Sequence, residues 1–348
     1  MRTRPISIHI TMMSWQSRIP ILQQRRPVGG HRLGIFWKTA LFLAIVTATL
    51  CQTPTSDPSH VERRNEQYCP NPAVRVSWYS LSSAEKTAMQ DAIMCLLTQP
   101  SKMKYPGAIS RYDDLVYVHQ AQSDFPGGKD LLHVTGRFLH WHRLQLALFE
   151  LLLRVECGYS GPMAYWDERV DAGKFRDAGI IKDFGGTGNE NGYVVDGRFG
   201  YTIANLGPSM DNTRRYLSRK INDTASAFAS ERHYRVLMGQ DSFIDFMQSL
   251  RNFQHLSGHV GVGRDMAGVQ TAPVDPLFWF HHGYVDNDRQ GNDPARIFDL
   301  NNAGYETQGP PFRSVTWQTA LPFLGLADDV PLYAGSDTQG GFLCYTYK

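Results

Sequence analysis

Residues 137–155 read RFLHWHRLQLALFELLLRV. After Arg143 this run is apolar on nearly every side, which is the composition of a helix sunk in a core rather than one lying on a surface. Cys157-Gly158 closes it, and glycine just past a helical run is a common stop. Its first turns carry His140 and His142. Residues two apart on a helix face different ways, so only one of them can join a given site. His133, nine residues before His142, and His119 in LVYVHQAQ supply two more imidazoles.

A second group has the same content. FQHLSGHVG places His255 and His259 four residues apart, on one helix face and close enough to chelate. A zinc hydrolase of the HExxH type needs Glu directly after the first histidine, and Leu256 stands there instead. DPLFWFHHGYVD, residues 275–286, then offers His281 and His282. Adjacent helical residues point about 100° apart, so one of the two is expected to bind and the other to pack. Two sets of three histidines on buried helices are the content of a two-metal site inside a helical bundle, and imidazole suits copper, zinc, iron and nickel.

Around these groups the chain looks like one domain. Of its 348 residues 42% are hydrophobic and 20% charged, an ordinary globular balance. The net charge of +2 hides an asymmetry: residues 1–52 hold seven Lys/Arg and no Asp/Glu, so residues 53–348 keep 28 basic against 33 acidic groups, a net of −5. A mildly acidic body disfavours a nucleic-acid partner. The basic stretch runs into ALFLAIVTATL, residues 40–50, the layout of a secretory signal and too short to span a bilayer alone. Residues 1–52 are therefore expected to be a basic flank plus signal peptide, with a type II anchor as the alternative and the only route to a membrane.

Without Cys51, four cysteines remain: Cys69, Cys95, Cys157 and Cys344. In an oxidising compartment they suggest two disulfides, whose pairing sequence leaves open. Asn222-Asp223-Thr224 is a glycosylation sequon. Ser82 and Glu85 predict a helix start, with apolar residues following at helical spacing. Residues 167–212, rich in Gly, Asp and Asn but studded with aromatics, read as a long irregular excursion. Helical character returns over 224–256 and again over 276–286. No repeat or low-complexity tract interrupts 53–348.

The motifs FLHWHR, followed by an apolar helix and Glu150, then HLSGH and DPLFWFHHGYVD, resemble the two copper motifs of the tyrosinase and catechol oxidase family. YDDLVYVH, VECGYSGPMAYWD, DFGGTG and GHVGVG resemble its short secreted fungal members, over about Cys69 to Tyr347. The resemblance implies a mainly α fold, a four-helix bundle enclosing a dinuclear copper site with long irregular loops. It implies two copper ions, the first on His119, His133 and His142 and the second on His255, His259 and His282, leaving His140 and His281 as non-ligands. It also implies Phe278 at the substrate pocket, phenolic substrates with dioxygen as partners, and oxidation of o-diphenols to o-quinones. Monophenol hydroxylation, or copper binding without catalysis, are the alternatives. Asp275 and Asp286 are candidates to orient ligand rings, with helix capping an equal account of Asp275.

Four positions depart from the family pattern. Leu256 stands where many hydroxylating members carry Asn, which argues against monophenol hydroxylation. Leu131 stands two residues before His133, so the Cys–His thioether of some fungal relatives is not expected. Arg264 replaces a usual Gly. The Trp-rich stretch after the second motif is shortened to VDNDRQGNDPARIFDL.

Overall fold

A computed structural model describes residues 69–123, 130–290, 304–340 and 343–348. The predicted signal or anchor over 1–52, and the entry segment up to residue 68, lie outside the described residues. Among the described residues no helix is long and apolar enough to cross a membrane.

Six helices position the site. Helix α1 (Ser83–Thr98) begins at the predicted cap, with the Ser82 hydroxyl accepting from the Glu85 amide and the Glu85 carboxylate accepting from the Ser82 amide. Its buried face is Met89, Ala92, Ile93 and Leu96, the i, i+3, i+4, i+7 stripe of an amphipathic helix. Helix α2 (Arg111–Ser123) is buried almost all round. Its charges are therefore satisfied internally: Arg111 meets Asp114 at 2.8 Å and Glu156 at 3.0 Å, and Asp113 accepts from the Ile109 and Ser110 amides and from Asn205, as groups this deep require.

Helix α3 (Phe138–Cys157) is formed by the apolar run after Arg137, and it stops at Gly158, whose φ of +67° closes the last turn. Helix α4 (Phe243–Leu250) passes through a single π-helical turn, Arg251–His255, into α5 (Leu256–Val262). Helix α6 (Leu277–Gln290) packs along α3. The helical stretch expected over 224–256 is real but broken, into Asp223–Ser226, Glu231–Met238 and α4 with its π turn. The breaks fall at Ser230 and around Gly239, residues of weak helix propensity.

The bundle of α2, α3, α4–α5 and α6 is closed by a small sheet. Strand β1 (Ala73–Ser77) lies between β2 (Ala164–Tyr165) and β3 (Tyr345–Tyr347), parallel to both. The expected pair of disulfides is present as Cys69–Cys344, beside β1 and β3, and Cys95–Cys157, joining α1 to α3. Asp286 on α6 pairs with Arg143 of α3 at 2.5 Å and accepts from the hydroxyls of Tyr345 and Tyr347, each at 2.6 Å. The sheet is thereby fastened to the two central helices. Trp78, Trp141, Trp166 and Trp279 are fully buried, and Trp279 stacks on Phe149 at 4.2 Å, joining α6 to α3.

The excursion over 167–212 is irregular as expected, yet packed. Phe175, Phe184 and Phe199 are buried, with Phe184 and Phe199 stacked at 4.9 Å. Gly185, at φ +99°, could not carry a side chain, because a Cβ would lie 2.5 Å from Val194.

Candidate metal centre

Four helices bring seven imidazoles together. His119 comes from α2, His142 from α3, His133 from the loop between them, His255 and His259 from the π turn and α5, and His281 and His282 from α6. They form two groups, His119, His133 and His142, and His255, His259, His281 and His282. In each the nitrogens lie within 4.8 Å of one another. The groups face each other: His142 stacks on His282 at 4.4 Å with the rings 6° from parallel, and His133 lies 6.2 Å from His255.

Hydrogen bonds decide which nitrogen of each ring faces inward. The Nδ1–H of His119 donates to the Gln270 carbonyl at 2.9 Å, that of His142 to the Phe138 carbonyl at 2.8 Å, and that of His259 to the Met266 carbonyl at 2.7 Å. His133 Nδ1 meets Asp130 Oδ2 at 2.7 Å. With the proton on Nδ1, each Nε2 is left as a lone pair pointing into the cluster. His119 and His133 then face each other Nε2 to Nε2 at 3.2 Å, and His255 and His259 at 3.0 Å. Within the His119–His133 pair both nitrogens are then acceptors, an arrangement that a bound cation would relieve. His142 Nε2 and both nitrogens of His282 are buried without any partner, a second mark of the same deficit.

Burial holds the rings neutral. It pushes the pKa values of His119, His142, His255, His259 and His282 well below the usual histidine value, and the neighbouring imidazoles push the same way. Neutral imidazole is the form that binds a metal, so the donor set fits two borderline-soft ions such as copper.

His140 lies outside both groups. Its Nε2 accepts from Arg289 at 2.8 Å, and its ring faces Phe243 and Trp317. His281 differs from the expectation that one of the adjacent pair would only pack. Both rings of His281-His282 reach the second group, because a site lying between their two directions is within reach of either. The Nδ1 of His281 is pinned by Glu168 at 2.6 Å. Burial drives the His281 pKa down to about 3 and that of Glu168 up. Gly258, within HLSGH, makes room for it: a Cβ there would lie 2.1 Å from His281 Nδ1.

Asp275 and Asp286 orient no ligand ring. Asp275 takes Arg219 through both oxygens, at 2.7 and 2.9 Å, and caps the Leu277 amide at 3.0 Å. Asp286 is consumed by the Arg143 and tyrosine contacts described above. A buried carboxylate beside a buried arginine is claimed by the charge before any imidazole. The orienting acceptors are instead backbone carbonyls and Asp130, which sequence reasoning missed although its position three residues before His133 is a local signal. Glu168, 113 residues from His281, had none. Phe278 is buried against His282 at 4.2 Å and His119 at 5.5 Å. Asn222 is exposed, and its side chain caps the Ala225 amide.

These features define a class: a helical protein whose paired histidine groups can hold two metal ions across a four-helix seam. The family model for the common central domain of tyrosinase matches residues 109–288, and the chain belongs to the tyrosinase family. It is similar to the tyrosinase ustQ of Aspergillus flavus, 32% identical over 304 residues covering 80% of each chain. It is also similar to the N-acetyl-6-hydroxytryptophan oxidase ivoB of Emericella nidulans, 26% identical over 346 residues, 80% of this chain and 93% of that one. Among solved structures a polyphenol oxidase from Thermothelomyces thermophila superposes with a TM-score of 0.71 at 25% identity, covering 80% of this chain and 89% of that one. The family binds two copper ions, and this chain is a copper oxidoreductase by family.

Proposed function

We propose that this chain oxidises o-diphenols to o-quinones with dioxygen. In this reading His119, His133 and His142 hold one copper, and His255, His259 and His282 the second. The observation that carries the proposal is the pair of facing imidazole groups with inward lone pairs, stacked across the seam at His142 and His282. When bound, the copper pair exchanges two electrons at a time between phenol and dioxygen.

The protein's part is positioning. Hydrogen bonds to Gln270, Phe138, Met266 and Asp130 hold the rings so that little rearrangement accompanies a change in metal charge. Phe278 and the buried faces of His119, His142 and His282 keep water off the closed side. Each diphenol gives up two electrons and two protons, and two diphenols together convert one dioxygen to two waters.

Leu256 supports diphenol over monophenol oxidation, because an aliphatic side chain offers no amide to hold a proton-accepting water beside His255. A relative that bears the name of an N-acetyl-6-hydroxytryptophan oxidase supports a specialised aromatic metabolite rather than free tyrosine. Two disulfides support an oxidising, secreted location, and the exposed Asn222 supports glycosylation there. Oxygen uptake by the copper-loaded protein tests the reading. Uptake with a catechol and none with a monophenol is expected. Uptake with a monophenol after a lag would make it a hydroxylating tyrosinase, and two bound coppers without uptake a non-catalytic binder.

A further inference from the structure

The seam between α3 and α6 holds a cavity of about 10 Å³, and every residue lining it belongs to one of those two helices. The stacked rings of His142 and His282 border it, and Arg143, Asp286 and Arg289 supply its charged lining. The space suits a single small occupant.

Arg289 belongs to VDNDRQGNDPARIFDL, the stretch in which the chain departs from the family pattern, and the oxidase reading gives it no role. Its side chain is fully buried. Nη2 donates to His140 Nε2, a neutral acceptor, at 2.8 Å, while Nε and Nη1 have no partner. Arg143, in the same lining, leaves its own Nη2 without one. Arg111, Arg143 and Arg219 are the other fully buried arginines, and each sits on a carboxylate. Among the described residues none pairs with Arg289. Burial and the like charge of Arg143 both press the Arg289 pKa down, as happens to a buried cation short of a counter-charge.

We propose that this cavity binds one chloride ion, held by Arg143 Nη2 and by Nε and Nη1 of Arg289, as the missing counter-ion of Arg289. A water there would satisfy the donors and leave the charge unbalanced, and an unpaired buried charge is costly. A carboxylate or phosphate is too large for the space, so size and charge together select a monatomic monoanion. The Asp286 carboxylate is no rival for Arg289, because it is already balanced by Arg143 and Arg75 and accepts from Tyr345 and Tyr347. The ion lies in the same seam as the His142–His282 stack, so its occupancy sets how firmly α3 and α6 hold together there. This site stands whether or not the chain oxidises phenols.

Crystals of the copper-loaded protein soaked in sodium bromide, with diffraction recorded at the bromine absorption edge, test the site directly. An anomalous peak in the cavity between Arg143 and Arg289 is expected. A cavity that stays empty or holds only a water in such crystals overturns the proposal. In solution the protein is expected to melt about 3 °C higher in about 100 mM sodium chloride than in sodium gluconate of the same ionic strength. Arg289→Gln, which keeps a donor for His140 and removes the charge, is expected to lose that difference. A chloride gain as large in Arg289→Gln as in the wild-type protein overturns the proposal, because the halide then acts elsewhere, the copper ions included. The bromide experiment needs no variant, so it decides the matter even if Arg289→Gln does not fold.

Discussion

The two histidine groups reach the same donor set by different construction. In the first, three rings come from three segments, and each has its outer nitrogen tied down, to Gln270, Asp130 and Phe138. In the second, His255 and His259 come from one continuous helical stretch. His282 there has no hydrogen bond at all and is held by ring packing against His142 and Phe278. The first half is preorganised by a hydrogen bond on every ring, whereas in the second only His259, through Met266, has such a tether among the proposed ligands and helix geometry and stacked rings supply the rest. A site assembled from distant segments needs tethers, whereas one assembled on a single helix inherits its spacing from the backbone.

The largest expected effect comes from removing a ring. His142→Ala and His282→Ala should each lower copper content from two toward about one per chain and abolish oxygen uptake, because the reaction needs both ions together. If either variant keeps two coppers, the two groups are not separate sites. The tethers come next. Asp130→Asn should weaken copper binding at the first group by roughly 10–100-fold while the second keeps its metal, a difference that chelator competition can resolve. Equal loss from both groups would erase the distinction drawn above.

Ring packing is read through stability. Phe278→Ala should cost about 3–5 kcal/mol and loosen His282 more than His133, seen as a lower Tm with copper leaving the second group first. The metal-free protein should also depend on pH. Folded, the seven buried rings of His119, His140, His142, His255, His259, His281 and His282 are held neutral by burial, while the unfolded chain takes up protons below about pH 6.5. Stability is therefore flat above that value and lost as pH falls through it. A Tm of the copper-free chain that holds constant from pH 7 to 5 would contradict the burial assigned to these rings. The smallest effect is expected at Leu256. Because the residue is half exposed, Leu256→Asn should change stability by under ~0.5 kcal/mol while adding slow monophenol uptake.

Much of this was legible in the sequence where the signal is local. The Ser82–Glu85 cap, the buried run of α3, the two disulfides and the His255–His259 spacing each depend on residues a few positions apart or on simple counting. The copper class followed from the two motifs that carry the histidines. What stayed hidden was tertiary. Nothing near Asp286 announces that Arg143 and two tyrosines some 60 residues on will claim it. Likewise, no rule of helical spacing brings Glu168 to His281. That both His281 and His282 reach the second group depends on where the opposing helix sits, which spacing along one helix does not contain.

Strand β3 bears on when the two central helices can be clasped. Tyr345 and Tyr347 close the carboxylate that links α3 to α6, and β3 completes the sheet against β1. During synthesis residue 347 must therefore have left the ribosome's exit tunnel before the Asp286 cluster is complete. The clasp on the two central helices is then completed after translation of the whole domain rather than during it.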